Sequence, residues 1–388
     1  SLVDGINLLL IQIFAALSTG GTVIVSQYLG RQDTHNARTA AKQLLYTVTA
    51  VSTALMVLAL VFRQHILSLV FGSIEPDVMD SALAYFLSTA LAYPFMAVYN
   101  AGAALFRSMG DSKVSMFNSL LVNIVNISVN AILIYGFGMG ALGAGIGTLV
   151  SRVVAAVVIL VLLQRHGGPL RIERLFHFEF KGGMVRRILV VGIPNGLENG
   201  LFQIGKLLVL SLITSFGTNA VAANAISNSV ASVINVPGQA IGLALITVVG
   251  QCMGAGRVKE AVSYTKKLMG VTYLSMGALC LILFLIAGPL VSLFSLSPAS
   301  AAMATDVLRW CAVFTGLFWP LSFTLPNALR ASGDVIFTMV VSMVSMFVFR
   351  ICLSYVLASP WGLDLQLLGV WLAMFVDWVM IVQIVHNL

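Results

Sequence analysis

Long apolar runs separated by short polar segments occupy the chain from one end to the other. A helix needs about 20 apolar residues to cross a hydrocarbon core of roughly 30 Å, and eleven runs are long enough to do so. They cover residues 2–29, 43–71, 81–106, 114–135, 141–163, 186–216, 221–249, 268–294, 305–329, 335–358 and 367–388. Pro94 in the third run, and Pro320 and Pro326 in the ninth, predict breaks in those helices.

The sixth run carries a polar stripe along one side. At 100° per residue, one helix face collects Asn195, Glu198, Asn199, Phe202 and Lys206. Glu198 lies 11 residues past Arg187, which places it about 16 Å along the helix, near the bilayer midplane. A carboxylate at that depth costs about 2.5 to 3.5 kcal/mol, so it should face protein or water. It either exchanges a proton or a cation with a cargo, or it makes a hydrogen-bonded contact between helices.

Two further charged residues lie within predicted spans. Asp377 is 11 residues into the last run, again near the midplane, and is either a second protonatable site or a packing acid. Arg350 needs a carboxylate or carbonyl partner at membrane depth. Glu198 and Asp377 are both candidates for that partner. Arg350 therefore has either a structural role in helix packing or a functional role at the site, and the sequence leaves both open.

Amide side chains form two more candidate faces. Asn123 and Asn126 share one side of the fourth run, and Asn228 lies on a similar stripe of the seventh run. Uncharged amides facing a cleft suit a site that hydrates cargo without trapping it. The alternative is hydrogen bonding between helices, worth about 0.6 kcal/mol per pair.

The composition excludes several classes of protein. The chain is 59% hydrophobic and only 9% charged, whereas soluble domains are about 25% charged. Long apolar runs, without strict alternation, favour helices over a membrane β-barrel. The net charge of +7 comes from basic residues dispersed between the spans, which argues against nucleic acid as a partner. We find no phosphate-binding loop, catalytic motif or metal-ligand spacing, so we expect no enzyme activity and no cofactor.

The basic residues predict the orientation of the chain. Sixteen of the 21 lysines and arginines lie in five alternate connections, residues 30–42, 107–113, 165–187, 254–267 and 330–334. Cytoplasmic loops collect Lys and Arg, so we expect these five connections in the cytoplasm. The longest connection mixes basic residues with Leu175, Phe176 and Phe178. It is either a segment on the membrane surface or a solvated linker.

The two halves of the chain share short motifs at a fixed separation. Residues 27–30 (QYLG) match 251–254 (QCMG), and residues 106–111 (FRSMGD) match 329–334 (LRASGD), at separations of 224 and 223. Each repeat must hold six helices, so both halves enter the membrane in the same sense, and the axis relating them lies along the membrane normal. The counterpart of the sixth run would precede Ser1. We therefore expect this chain to lack the first of twelve helices.

These motifs resemble the multidrug and toxic compound extrusion (MATE) family of cation-coupled antiporters. The resemblance covers almost the whole chain and is carried best by residues 250–257 (GQCMGAGR), 329–334 (LRASGD) and 192–198 (GIPNGLE). It implies an all-α polytopic membrane protein with two six-helix lobes. We expect an N-terminal lobe at residues 1–164, a cytoplasmic basic linker at 165–185 and a C-terminal lobe at 186–388.

The resemblance also implies a function. Members export organic cations or other amphiphiles in exchange for H⁺ or Na⁺, and Glu198 matches the acid that many carry in their seventh helix, where it is a possible Na⁺ ligand. The tenth-helix acid of some members has no match, because nothing acidic lies between Asp306 and Asp334. The coupling ion therefore stays open. We expect a monomer in a bacterial cytoplasmic (inner) membrane that handles small amphiphilic cargo. The alternative is a lipid-linked precursor flippase of related architecture.

Overall fold

The computed structural model of the chain describes residues 2–71, 76–165, 167–172, 179–360 and 362–386. Within those ranges ten helical segments are long and apolar enough to cross a membrane, or up to eleven if one bent pair is a single span. The prediction of an all-α polytopic membrane protein is confirmed. The chain divides into two compact units, a first unit of Ser1–Asn199 and a second unit of Gly200–Leu388. The lobe and linker boundaries given by the sequence remain a prediction.

The first unit is built on α1, α2 and α5, whose buried faces form its core. Phe14 on α1 packs against Tyr93 on α5 with ring centroids 6.2 Å apart, and Leu44 of α2 is fully buried in the same core. The Tyr93 hydroxyl donates to Oδ1 of Asn7 at 2.8 Å. The helices are α1 (Leu2–Gly30), α2 (Thr34–Val61), α3 (Arg63–Phe71), α4 (Pro76–Leu91), α5 (Tyr93–Ser108), α6 (Ser112–Ala131), α7 (Gly140–Arg165) and the first part of α8 (Gly182–Thr214).

The second unit has an aromatic core. Phe375 stacks on Phe314 with ring centroids 4.6 Å apart, and Trp378 lies 5.5 Å from Phe375. The helices that follow α8 are α9 (Thr218–Ile234), α10 (Val236–Gly254), α11 (Val258–Ser292), α12 (Pro298–Trp319), α13 (Pro326–Ser332), α14 (Val335–Ser345), α15 (Leu353–Ala358) and α16 (Gln366–His386). Wider π-helical segments cover Ile132–Gly136, Pro320–Thr324 and Met346–Cys352.

Three helix breaks fall where proline predicted them, whereas the break at Phe62, between α2 and α3, has no proline. Pro94 lies at the start of α5, which is bent by 42° from α4. Pro320 opens a π-helical segment, and Pro326 begins α13. Pro lacks the N–H that would continue the helical ladder, so each of these three breaks follows from a missing donor.

Several helices begin earlier than the apolar pattern indicated, and α2 is the clearest example. The polar segment before Gln43 was expected to be a loop, but α2 already begins at Thr34. Asp33 caps this helix, because its Oδ1 accepts from the backbone N–H of Asn36 at 3.1 Å and its Oδ2 accepts from the Asn36 side chain at 2.7 Å. These hydrogen bonds, the side-chain one first, lower the pKa of the Asp33 carboxyl below its ordinary value. Hydropathy marks the membrane-embedded part of a helix, whereas a cap marks its true start.

The backbone repeats at separations close to those of the motifs, which are 223 and 224. Among the described residues, nine have positive φ, and eight of these fall into pairs 223 to 226 positions apart. The pairs are Gln32 with Gly256, Gly110 with Gly333, Gly138 with Asp364, and Gly140 with Gln366. The ninth, Gly217, has no partner at this separation among the residues that the structure describes. Turns of the same conformation therefore recur in the two units.

The described parts of the connection after α7 are docked on the first unit. Arg38 of α2 donates through Nε to the carbonyl oxygen of Pro169 at 2.8 Å. The Gln43 amide donates to the carbonyl oxygen of Glu179 and accepts from the backbone N–H of Lys181. Leu170 is buried in the core of the unit. These parts are thus held by α2, while Leu175, Phe176 and Phe178 lie outside the described residues.

Glycine allows α1 and α8 to approach closely within the first unit. A β-carbon at Gly20 would lie 2.6 Å from the carbonyl oxygen of Ile188 and 2.8 Å from the backbone nitrogen of Gly192. Both neighbours are backbone atoms, so they cannot rotate away. This contact fixes the start of α8 against α1.

We expect Gly20→Ala to destabilise the protein by about 1 to 3 kcal/mol, the usual cost of overpacking. Gly5→Ala on the same helix is the matched control, because a β-carbon there meets nothing within 4 Å. Thermal unfolding in detergent compares the two variants with the wild type. A Gly20→Ala variant as stable as Gly5→Ala would contradict the close helix contact.

Candidate functional site

The polar stripe predicted on the sixth span is buried on α8 around Asn195 and Glu198, whereas Lys206 at its far end is exposed. Asn195 is 4% exposed and Glu198 is 9% exposed, and Asn199 is half-buried. On the other side of this helix, Ile193 and Leu197 are about half exposed. The helix thus turns its apolar side chains outward and its carboxylate inward. The Glu198 side chain is therefore largely enclosed by the protein.

A buried ion pair joins α16 to the π-helical segment after α14. Nε of Arg350 lies 3.0 Å from Oδ2 of Asp377, and both side chains are almost completely buried. The hydroxyl of Ser345 donates to the other carboxylate oxygen, Oδ1 of Asp377, at 2.6 Å. The sequence left Glu198 and Asp377 open as the partner of Arg350. The structure pairs Arg350 with Asp377.

The Phe202 ring, on α8, completes this cluster in the second unit. The guanidinium carbon of Arg350 lies 4.5 Å from the centre of the ring, and Nζ of Lys206 lies 5.3 Å from it. The edge-to-face neighbour of Phe202 is Phe323, with centroids 5.9 Å apart. Two cations share one aromatic ring, as cation–π geometry allows.

The amides of the fourth span are divided between two environments. Asn126 donates through Nδ2 to Oγ of Ser151 at 3.4 Å and accepts from Asn130 at 3.2 Å. Asn123, by contrast, is exposed. Asn126 thus makes the helix–helix hydrogen bond that was the alternative interpretation of this stripe.

The polar pairs of the two units occupy corresponding positions. Asn126 and Ser151 precede Arg350 and Asp377 by 224 and 226 residues. The neutral pair links α6 to α7, and the charged pair makes the matching link in the second unit. Corresponding positions of the two units therefore make a helix–helix contact, through a neutral pair in the first unit and a charged pair in the second.

Asn228 of α9 belongs to a third polar contact. Its Nδ2 donates to Oδ1 of Asn224 at 3.1 Å, and the Trp371 indole N–H donates to the same oxygen at 3.2 Å. Asn224 therefore ties α9 to α16. The sequence indicated the amide stripe but not its aromatic partner.

The predicted site residues are distributed over both units. Asn123, Asn126, Asn195, Glu198 and Asn199 belong to the first, and Asn228, Arg350 and Asp377 to the second. Sequence reasoning missed Ser345. Its only signal was its place as one of three serines in the apolar run 335–358, five residues before Arg350. Across the described ranges, no group of three or more His, Cys, Asp or Glu side chains is arranged to hold a metal ion.

Comparison with known proteins gives one consistent result. Residues 1–132 and 194–356 match the family model described as MatE. The chain is 26% identical to the probable multidrug resistance protein NorM of Thermotoga maritima, over 94% of this chain and 78% of that protein. It is 25% identical to the probable multidrug resistance protein YoeA of Bacillus subtilis, over 94% of this chain and 79% of that protein. A solved structure of a multidrug resistance MATE family transporter in an outward-facing conformation superposes with a TM-score of 0.91 at 20% identity, covering 99% of this chain and 84% of that one.

Proposed function

Because this chain belongs to the MATE family of multidrug efflux transporters, we propose that it is a secondary antiporter. It exports organic cations or other amphiphilic drugs in exchange for H⁺ or Na⁺ by alternating access. It is a multi-pass membrane protein and not an enzyme. Its relatives include proteins of Thermotoga maritima and Bacillus subtilis, which supports the cytoplasmic membrane of a bacterium as its location.

The burial of Glu198 within a membrane-spanning helix is the observation that carries this proposal. The side chain is 9% exposed on a segment that is long and apolar enough to cross a bilayer. Burying a carboxylate at membrane depth costs free energy, and such residues typically mark an ion or substrate pathway. A cationic drug and the coupling ion then compete for its negative charge, and each favours a different facing of the transporter.

The residues near Glu198 suit either coupling ion. A proton needs only a carboxylate oxygen. Na⁺ prefers several oxygen ligands, and α8 offers amide oxygens one turn before the acid at Asn195 and beside it at Asn199. Glu198 is therefore the residue we assign to ion exchange.

Asp377 has a different role in this proposal. Arg350 lies 3.0 Å from its carboxylate, so the negative charge of Asp377 is already balanced within the protein. We assign the Arg350–Asp377 pair to holding α16 against the segment after α14, and not to binding the coupling ion.

Transport by the purified protein in proteoliposomes tests the proposal. We expect a fluorescent organic cation to accumulate when either an imposed pH gradient or an imposed Na⁺ gradient is present, and not without a gradient. The gradient that drives uptake identifies the coupling ion. Transfer of a lipid-linked precursor between leaflets, with no gradient-dependent drug uptake, would favour the flippase alternative and overturn the antiporter.

A further inference from the structure

A basic cavity lies at the end of α1, away from Glu198. It has a volume of about 270 Å³, and its walls are Ile24, Gln27, Tyr28, Arg31 and Arg187. These residues come from the last turns of α1, the turn that follows it, and the start of α8. All of them belong to the first unit.

The chemistry of the cavity is that of an anion site with one apolar wall. The Arg187 guanidinium donates through Nη1 to the Tyr28 hydroxyl at 2.6 Å, which orients it beside the cavity. Arg31 approaches from the turn after α1 and is exposed. Among the described residues, no carboxylate lies within 4.0 Å of either guanidinium group. Asp33, two residues from Arg31, is engaged by Asn36 at the start of α2.

The position of the cavity indicates a membrane interface. Arg31 and Arg187 belong to two basic connections that the sequence places on the cytoplasmic side, and the Arg187–Tyr28 hydrogen bond brings those connections together. Basic pockets between membrane helices on this side bind the head groups of anionic lipids. Guanidinium groups bind phosphate oxygens in a fork geometry.

Comparison of the two repeats indicates that the fold itself does not require the side chains of Tyr28 and Arg31. At a separation of 224, Tyr28 and Arg31 correspond to Cys252 and Ala255. Both turns have the same backbone conformation, with positive φ at Gln32 and at Gly256. The second unit therefore makes the same turn without an aromatic hydroxyl or a guanidinium at these positions.

We propose that this cavity binds the phosphate group of an anionic phospholipid from the cytoplasmic leaflet. Arg31 and Arg187 hold the phosphate oxygens. Tyr28 keeps Arg187 in place, and Ile24 provides the apolar wall toward the acyl chains. The site is separate from the drug and ion pathway and does not depend on it.

Native mass spectrometry of the full chain in detergent tests the proposal. The probes are phosphatidylglycerol, phosphatidylcholine with the same acyl chains, and inorganic phosphate at matched ionic strength. One arginine near the surface is worth about 1 kcal/mol toward an anionic lipid, or about fivefold in affinity. We expect Arg31→Gln and Arg187→Gln each to weaken phosphatidylglycerol binding by at least about fivefold.

Arg186→Gln is the matched control, because Arg186 is an exposed neighbour on α8 that does not line the cavity. We expect this variant to bind phosphatidylglycerol as the wild type does, and phosphatidylcholine to bind weakly to all variants. Tyr28→Phe keeps both charges and should give a smaller loss, which separates positioning from misfolding. Equal binding of inorganic phosphate, lost in the same two variants, would assign the site to free phosphate and overturn the lipid. An equal loss in Arg186→Gln would overturn the site itself, since surface charge alone would then explain binding.

Discussion

Replacing Glu198 with glutamine is expected to abolish drug export while the amount of protein in the membrane stays at the wild-type level. Glutamine has nearly the same shape and still forms hydrogen bonds, but it cannot take up a proton or balance a cation. The carboxylate is 9% exposed on α8, so the substitution removes a charge from the interior without opening a cavity. Growth of drug-sensitive cells that express each variant measures the effect, with export falling to the level of cells without the transporter.

Two controls make this result specific to the charge of Glu198. Glu198→Asp keeps a carboxylate and should retain part of the activity. Leu197→Ala changes the preceding side chain, which is about half exposed on the other side of α8, and should leave drug export near the wild-type level. Drug export by Glu198→Gln at the wild-type rate would remove this residue from the mechanism.

Breaking the Arg350–Asp377 pair is expected to have the second-largest effect. The two side chains are 6% and 0% exposed and lie 3.0 Å apart. Removing one member of a buried pair strands the other charge and costs about 3 to 5 kcal/mol. We therefore expect Asp377→Ala and Arg350→Met each to lower the thermal stability of the purified protein strongly.

The double variant tests whether the loss comes from the pair itself. Without a stranded charge, Arg350→Met combined with Asp377→Ala should cost clearly less than the sum of the single losses. Ser345→Ala is a milder control, because it removes the hydroxyl that donates to Asp377 but leaves both charges. Additive losses in thermal unfolding would show that the two residues act independently and would contradict the ion pair.

Much of the fold was predictable because the bilayer imposes a simple rule on the sequence. Apolar runs of 20 or more residues mark membrane spans, and the described residues of each predicted run are mostly helical, although some runs contain two helices. Proline marks three of the breaks, since it removes a backbone donor, but the break between α2 and α3 has no such signal. The start of α2 was missed, because hydropathy is blind to the part of a helix that extends beyond the membrane.

The sequence predicted which helix faces carry the candidate site residues, but not which side chains contact one another. The helical period alone placed Asn195 and Glu198 on one buried side of α8. Counting residues gave Glu198 and Asp377 the same depth, so it could not choose between them as the partner of Arg350. That choice depends on how α16 packs and on the π-helical segment that carries Arg350.

The amide stripe of the fourth span illustrates the same limit. Asn126 and Asn123 share a predicted face, yet Asn126 is hydrogen-bonded to α7 and Asn123 is exposed. The helical period predicts on which face of a helix a side chain lies. It does not predict which residue of a neighbouring helix contacts that face. The tie between Asn224 and Trp371 was missed for this reason.

Binding of a cationic drug to the purified protein, measured over a series of pH values and Na⁺ concentrations, tests the role of Glu198 most directly. If the drug and the coupling ion compete for its carboxylate, the apparent Kd in the wild type rises with the concentration of that ion. For one displaced ion, the rise is at most about tenfold per tenfold increase in its concentration. In Glu198→Gln, the drug should bind weakly, with a high Kd that does not depend on the concentration of either ion. The same ion dependence in Glu198→Gln as in the wild type would contradict the account.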